Sequence, residues 1–127
     1  MKEPKWLTLE QAILIHKKMI DLFGGATGIR DEGLLQSALA RPKNIYAYQN
    51  GNIFDCAAAY AEGIAHNHPF IDGNKRTAFT VAGIFLSENV LFLRPQQDKN
   101  HENTMVAVAE KRIFLAELSQ YLKKQIE

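Results

Sequence analysis

Cysteine is almost missing from this sequence: Cys56 is the one example in 127 residues. No internal disulfide can form, and a lone thiol set before Ala57-Ala58-Ala59 reads as a buried structural residue in a reducing compartment. An excess of charge of one sign is missing too. With 15 basic and 14 acidic side chains the net charge is +1, which gives no general hold on nucleic acid or a membrane surface. The longest apolar stretch, residues 78–93, is interrupted by Ser87-Glu88-Asn89 and is too short to span a bilayer. The opening Met-Lys-Glu-Pro-Lys carries no apolar signal core. Internal repeats and low-complexity tracts are also absent. These absences point to a soluble, cytoplasmic protein that binds neither membrane nor nucleic acid directly.

What is present is apolar periodicity. An apolar share of 46% is ordinary for a globular chain. Its length suits one domain, 1–127, burying about two thirds of its unfolded surface. Thr8 and Gln11 form a capping-box pair, and Ala12, Ile13, Ile15, Met19, Ile20 and Phe23 then recur at helical spacing until Gly24-Gly25. His16, inside this run, reads as a surface or internally satisfied histidine. Asp31 is placed to cap a short helix whose buried stripe is Leu34, Leu35, Ala38 and Leu39, with Arg41-Pro42 closing it. In residues 43–52 Tyr46 and Tyr48 alternate before Asn50-Gly51, which suggests a small hairpin or flap, or a loop over the core. An alanine-rich helix is expected over 53–67, with Glu62 on a solvated face. The run 77–88 is apolar on nearly every side, as a buried central helix is. Residues 96–100 read as a polar loop. Two further helical pieces follow at 104–109 and 113–120, the second with Ile113, Phe114, Ala116, Leu118, Tyr121 and Leu122 inward, before a fraying end at 123–127. The sum is an all-α domain of about six helices.

The chemistry concentrates in His68-Pro69-Phe70-Ile71-Asp72-Gly73-Asn74-Lys75-Arg76. Pro69 ends the preceding helix and leaves His68 on an extended link. Gly73 and Asn74 start the next helix, which puts Lys75 and Arg76 in its first turn. A helix N-terminus favours anions, so each cation there costs roughly 0.3–1 kcal/mol. A bound phosphate reverses that sign, because backbone N–H groups, helix dipole and both side chains then converge on it. The plainer reading turns both side chains into water, but the adjoining Asp72 and His68 favour a site. His68 suits a general base near neutral pH. Asp72 is the nearest oxygen ligand for a divalent cation, Asn74 can cap the turn or bond a phosphate oxygen, and Phe70 anchors the loop.

This string resembles the signature of the Fic/Doc family, His-x-Phe-x-Asp/Asn-Ala/Gly-Asn-Lys-Arg in its Doc (death-on-curing) branch. Residues 28–42, Gly28-Ile29-Arg30-Asp31-Glu32-Gly33-Leu34-Leu35-Gln36-Ser37-Ala38-Leu39-Ala40-Arg41-Pro42, are similar to the segment that Doc toxins carry upstream. The two matches span about the central half of the chain, and its length suits a Doc protein with little added. The resemblance implies a Fic-type helical domain with a central buried helix, and a flap at 43–52 that docks the target as an added strand. It implies a catalytic His68, phosphate contacts from Gly73, Asn74, Lys75 and Arg76, and magnesium on Asp72. Fic members that transfer AMP carry Gly-Asn-Gly-Arg and, after two intervening residues, a second arginine. Here Lys75 replaces the glycine, and Phe79 stands where that arginine would be. Both departures match the Doc branch, whose members move the γ-phosphate of ATP to a threonine of elongation factor Tu and stop translation. Self-restrained Fic proteins carry Ser or Thr four residues before a Glu-Gly or Glu-Asn pair. Glu32-Gly33 and Glu62-Gly63 are preceded there by Gly28 and Ala58, so restraint is expected from a Phd-like antitoxin.

Three other readings compete. His66-Asn67-His68 spells an HNH-nuclease string, but its flanks are helical rather than ββα. A metal phosphohydrolase would use His66, His68, Asp72 and His101, leaving Lys75 and Arg76 unexplained. A degenerate Doc fold that only binds would lack motif residues, and none is missing.

Overall fold

A computed structural model describes residues 3–95 and 99–127. Its six helices are α1 (Leu9–Phe23), α2 (Glu32–Tyr48), α3 (Ile53–Asn67), α4 (Asn74–Glu88), α5 (Asn100–Ala109) and α6 (Leu115–Lys124). No strand occurs among the described residues, only isolated bridges pairing Ile29 with Phe70 and Leu93 with Ile126. The architecture is all-α, and among the described residues no helix is long and apolar enough to cross a membrane.

Three helix starts follow their caps. Thr8 and Gln11 exchange side-chain and backbone bonds at α1, Asp31 accepts from the Leu34 N–H at α2, and Asn52 and Asp55 form a reciprocal box at α3. Gly24, at φ 86°, ends α1.

The stop expected at Arg41-Pro42 does not occur. Helix α2 runs through Pro42 to Tyr48, and residues 43–48 form neither hairpin nor flap. A proline inside a helix costs about 3 kcal/mol or more. Burial offsets that cost here, because the stripe Leu35, Ala38, Leu39, Pro42 and Ile45 continues at helical spacing on one face. Tyr46 meets Trp6 edge to face at 5.7 Å, whereas Tyr48 is 84% exposed. Gln49 and Gly51 donate their N–H groups to the Ile45 carbonyl, so Asn50-Gly51 is a helix end rather than a hairpin turn.

The most enclosed helix is α3, not α4. Every residue from Cys56 to Ala65 is buried, and α3 touches α2, α4, α5 and α6. Gly63 permits the close approach of α2: a Cβ there would lie 3.1 Å from the Ala38 Cβ. Glu62 is 3% exposed, not solvated, because Arg41 from α2 reaches it as an ion pair. Helix α4 buries Thr77, Ala78, Val81, Ala82, Phe85 and Leu86, and leaves a second face toward α1 and α5.

At the C-terminal end, Leu118, Ser119 and Leu122 face inward, while Phe114 and Ala116 are exposed against expectation. The last residues are tied down rather than frayed. Arg94 donates its N–H to the Gln125 carbonyl at 2.6 Å, and Glu127 donates to Phe92 at 3.0 Å. In the polar stretch 96–100, residues 96–98 lie outside the described residues and Asn100 opens α5.

Candidate active site

The loop between α3 and α4 is held from three sides. Arg30 donates from Nε to the His68 carbonyl at 2.7 Å and from a terminal nitrogen to the Asn67 carbonyl at 2.8 Å, closing the end of α3. The N–H groups of Arg30 and Asp31 both reach the Pro69 carbonyl, and the Ile71 N–H returns to Gly28. The extended pairing beside the loop therefore comes from residues 28–31, not from 43–52. Phe70, 1% exposed, anchors the loop as expected, with its ring stacked on His16 at 3.9 Å.

His16 is buried and donates from Nε2 to the Asp72 carbonyl at 2.8 Å. The Asn74 amide both accepts from the Phe70 N–H at 3.0 Å and donates to the Phe70 carbonyl at 2.9 Å. Its side chain is thus used to close the turn. The Asp72 carboxylate accepts one N–H on each oxygen, from Gly73 at 2.9 Å and Ala26 at 3.2 Å. Gly25 is required beside it: a Cβ there would come within 2.7 Å of Asp72 Oδ2.

Gly73 adopts a left-handed conformation, φ 74°, as the N-cap of α4, with no side-chain cap bond and no acid in the first turn. Lys75 and Arg76 follow on the exposed surface. Arg76 lies over the Phe23 ring at 4.1 Å, a cation–π contact that holds it at the end of α1. All five residues from Asp72 to Arg76 line an open cavity of about 370 Å³, together with Phe79, Thr80, His101, Glu102 and Met105.

His68 does not wall this cavity. It is the C-cap of α3, left-handed at φ 47° and ψ 55° rather than extended, and its exposed imidazole has no hydrogen-bond partner among the described residues. Proline 69 excludes the right-handed helical region at position 68, and the left-handed cap is the alternative that still lets the His68 N–H bond Ile64. A non-glycine residue held there is strained by about 1–3 kcal/mol, the kind of strain found at functional positions.

The histidines of the phosphohydrolase reading are not brought together. His66 bonds the Val108 carbonyl at 2.9 Å, His101 meets the Tyr121 hydroxyl at 2.6 Å, and no cluster of three potential metal ligands occurs among the described residues. Sequence reasoning missed His16 and Arg30 as supports of the loop. His16 had a signal, since it shares a face with Ala12 and Ile20; Arg30 had none beyond its charge.

The Fic/DOC family model matches residues 6–86, which include both the loop and its brace. The chain belongs to the Fic/Doc family. It is 41% identical over 92 residues to a protein named Toxin Doc from Mycolicibacterium smegmatis, covering 68% of this chain and 69% of that one. It is 35% identical over 81 residues to Protein kinase doc of Escherichia phage P1, covering 63% and 64%. Against the family pattern, the position of the second arginine holds a side chain of different character: Phe79 stacks on His101 at 4.4 Å.

Proposed function

We propose that this chain is a Doc-like toxin and a protein kinase, which moves the γ-phosphate of ATP to a threonine of elongation factor Tu and stops translation. A Phd-like antitoxin restrains it. The observation that carries the reading is the start of α4: a left-handed glycine, no cap, no acid, and Lys75 and Arg76 opening on a cavity. Such a turn is a seat for a polyphosphate. The names of the two relatives support the toxin and the kinase.

The threonine oxygen attacks the γ-phosphorus, its proton passes to the free imidazole of His68, and the bond to the β,γ-bridging oxygen breaks to release ADP. Lys75, Arg76 and the first-turn N–H groups hold the charge that collects on the phosphates, in positions fixed before the reaction. Arg30 and the left-handed cap keep His68 at the head of the loop. Asp72 keeps a lone pair on each oxygen beside the seat, and one carboxylate with substrate phosphates suits magnesium, which neutralises phosphate charge when bound. Phe79 offers no charge for a distal phosphate, which weighs against AMP transfer.

Incubation with γ-labelled ATP, magnesium and elongation factor Tu should label that factor on threonine. Label arriving from the α position alone would replace the kinase with an AMP transferase. The variant His68→Ala should lose transfer by about 10²–10⁴-fold while still binding nucleotide.

A further inference from the structure

A second cavity, of about 410 Å³, follows the seam between α2 and α3 and shares no residue with the one at the start of α4. Ser37, Arg41 and Asn44 line it from one face of α2, and Gly63, His66 and Asn67 from the last turns of α3. No acidic side chain lines it among the described residues. Arg41 supplies its charge. One guanidinium nitrogen meets the buried Glu62, but the side chain is 40% exposed, so several of its N–H donors stay open to an occupant. The side chains of Ser37, one turn before it, and Asn44, nearly one turn after, have no hydrogen-bond partner among the described residues. At one end the Asn67 amide donates to the Leu34 carbonyl at 3.0 Å, and the next residue is His68. Phe114, half exposed, meets the His66 ring edge to face at 6.2 Å and adds an apolar rim.

His68 does not line the cavity at α4, so a hydroxyl that meets its exposed ring arrives on a protein surface applied to the end of α3. We propose that the recess between α2 and α3 docks the acceptor protein through an acidic side chain held by Arg41, Ser37 and Asn44, a role that rests on the reading of this chain as a protein kinase with His68 as its base. Charge complementarity selects that occupant: a carboxylate accepts paired N–H bonds from a guanidinium, and the hydroxyl and the amide donate from either side. Phe114 offers the aromatic contact that protein interfaces favour and a free small anion would not use. Arg41 lies seven residues beyond Leu34, about 10 Å along α2, and an extended chain advances about 3.3 Å per residue. The acid is therefore expected about three or four residues from the hydroxyl that is modified. Such a contact lies away from the reacting atoms, so it acts on the KM for the acceptor rather than on kcat.

Steady-state transfer from ATP to elongation factor Tu tests this, with thermal unfolding as the check that each variant folds. Ser37→Asp and Asn44→Asp each set a carboxylate beside Arg41, inside the recess. Either should raise the KM for the acceptor about tenfold, with kcat and the KM for ATP unchanged. Gln36→Asp makes the same charge change on α2 outside the recess and should alter none of these constants. In the acceptor, exchanging the acid within about four residues of the labelled threonine for its amide should raise the KM by a similar factor. The same exchange should add nothing when the kinase already carries Asn44→Asp. If transfer proceeds but neither variant in the recess alters the KM, or Gln36→Asp raises it equally, the docking role is wrong and the kinase reading stands. An acceptor with no acid near the labelled threonine would overturn it as well. If the unaltered chain transfers no phosphate to the factor, the kinase reading fails and the docking role falls with it.

Discussion

The starts of α3 and α4 are built from opposite rules, although the two helices lie against each other. At α3, Asn52 and Asp55 satisfy each other's backbone N–H groups, and Asp55 puts a negative charge where the dipole favours one. At α4 the cap is a glycine without a side chain, and the first turn carries Lys75 and Arg76 instead of an acid. The uncapped start of α5 at least holds Glu102. The first arrangement makes a helix end self-sufficient. The second leaves it short of negative charge, so it is stable in full only with an anion present. The contrast sets α4 apart as the end with an unmet demand for an anion, which the proposed function reads as the working end with α3 as its support.

Reversing the charge at α4 should break the contrast most sharply. Lys75→Glu should cut phosphate transfer at least as much as loss of one preorganised donor, about 10²–10³-fold. The same change should leave the helix equally or more stable, by roughly 0.3–1 kcal/mol, when thermal unfolding is followed without nucleotide. Loss of stability together with activity would mean that Lys75 is structural.

The supporting helix should respond in stability first. Removing Arg41 leaves Glu62 buried and unpaired, and Arg41→Ala should destabilise by up to about 3 kcal/mol in urea unfolding, the low end for a buried pair because Arg41 is partly exposed. A variant of unchanged stability would show that water replaces the guanidinium.

A weaker effect is expected in alkali. Burial pushes the Cys56 thiol up to about 11, with the neighbouring Asp55 charge adding to it, and burial pushes the Tyr60 hydroxyl up to about 12. Both groups are neutral in the fold, so their contribution is complete below their ordinary values of 9.0 and 10.0. Above those values the unfolded chain ionises first, and stability falls as pH rises from 9 through 11 for Cys56. Cys56→Ala should flatten the part of the decline that begins near pH 9, measured by denaturant midpoints across that range. An unaltered slope would place its origin elsewhere.

The smallest change sharpens the contrast from the other side. Asn52→Ala removes the cap of α3 and should cost about 1 kcal/mol, with transfer per folded molecule unchanged. A comparable loss of transfer would mean that the start of α3 also serves the site.

Much of this was legible in the chain. The capping pairs, the glycine stop of α1 and the apolar stripes fixed five helices to within a few residues, because each signal lies inside the segment it governs. The basic first turn of α4 was legible for the same reason. The misread segments are those where a distant contact overrides the local signal. Pro42 is tolerated because its face of α2 is buried against α3, and Glu62 is buried because Arg41 comes to it. The end at 123–127 is held because Leu93 and Ile126 pair across the fold.

The sequence by itself determined the helical class, the capped starts and the short string that carries the reactive groups, since each depends on neighbours within a few residues. Tertiary structure decided which helix is central, that Arg30 and His16 grip the loop, that His68 turns left-handed, and that the two cations share a cavity with an aromatic wall. These depend on contacts between residues far apart in the chain, and burial rather than local preference sets their energy.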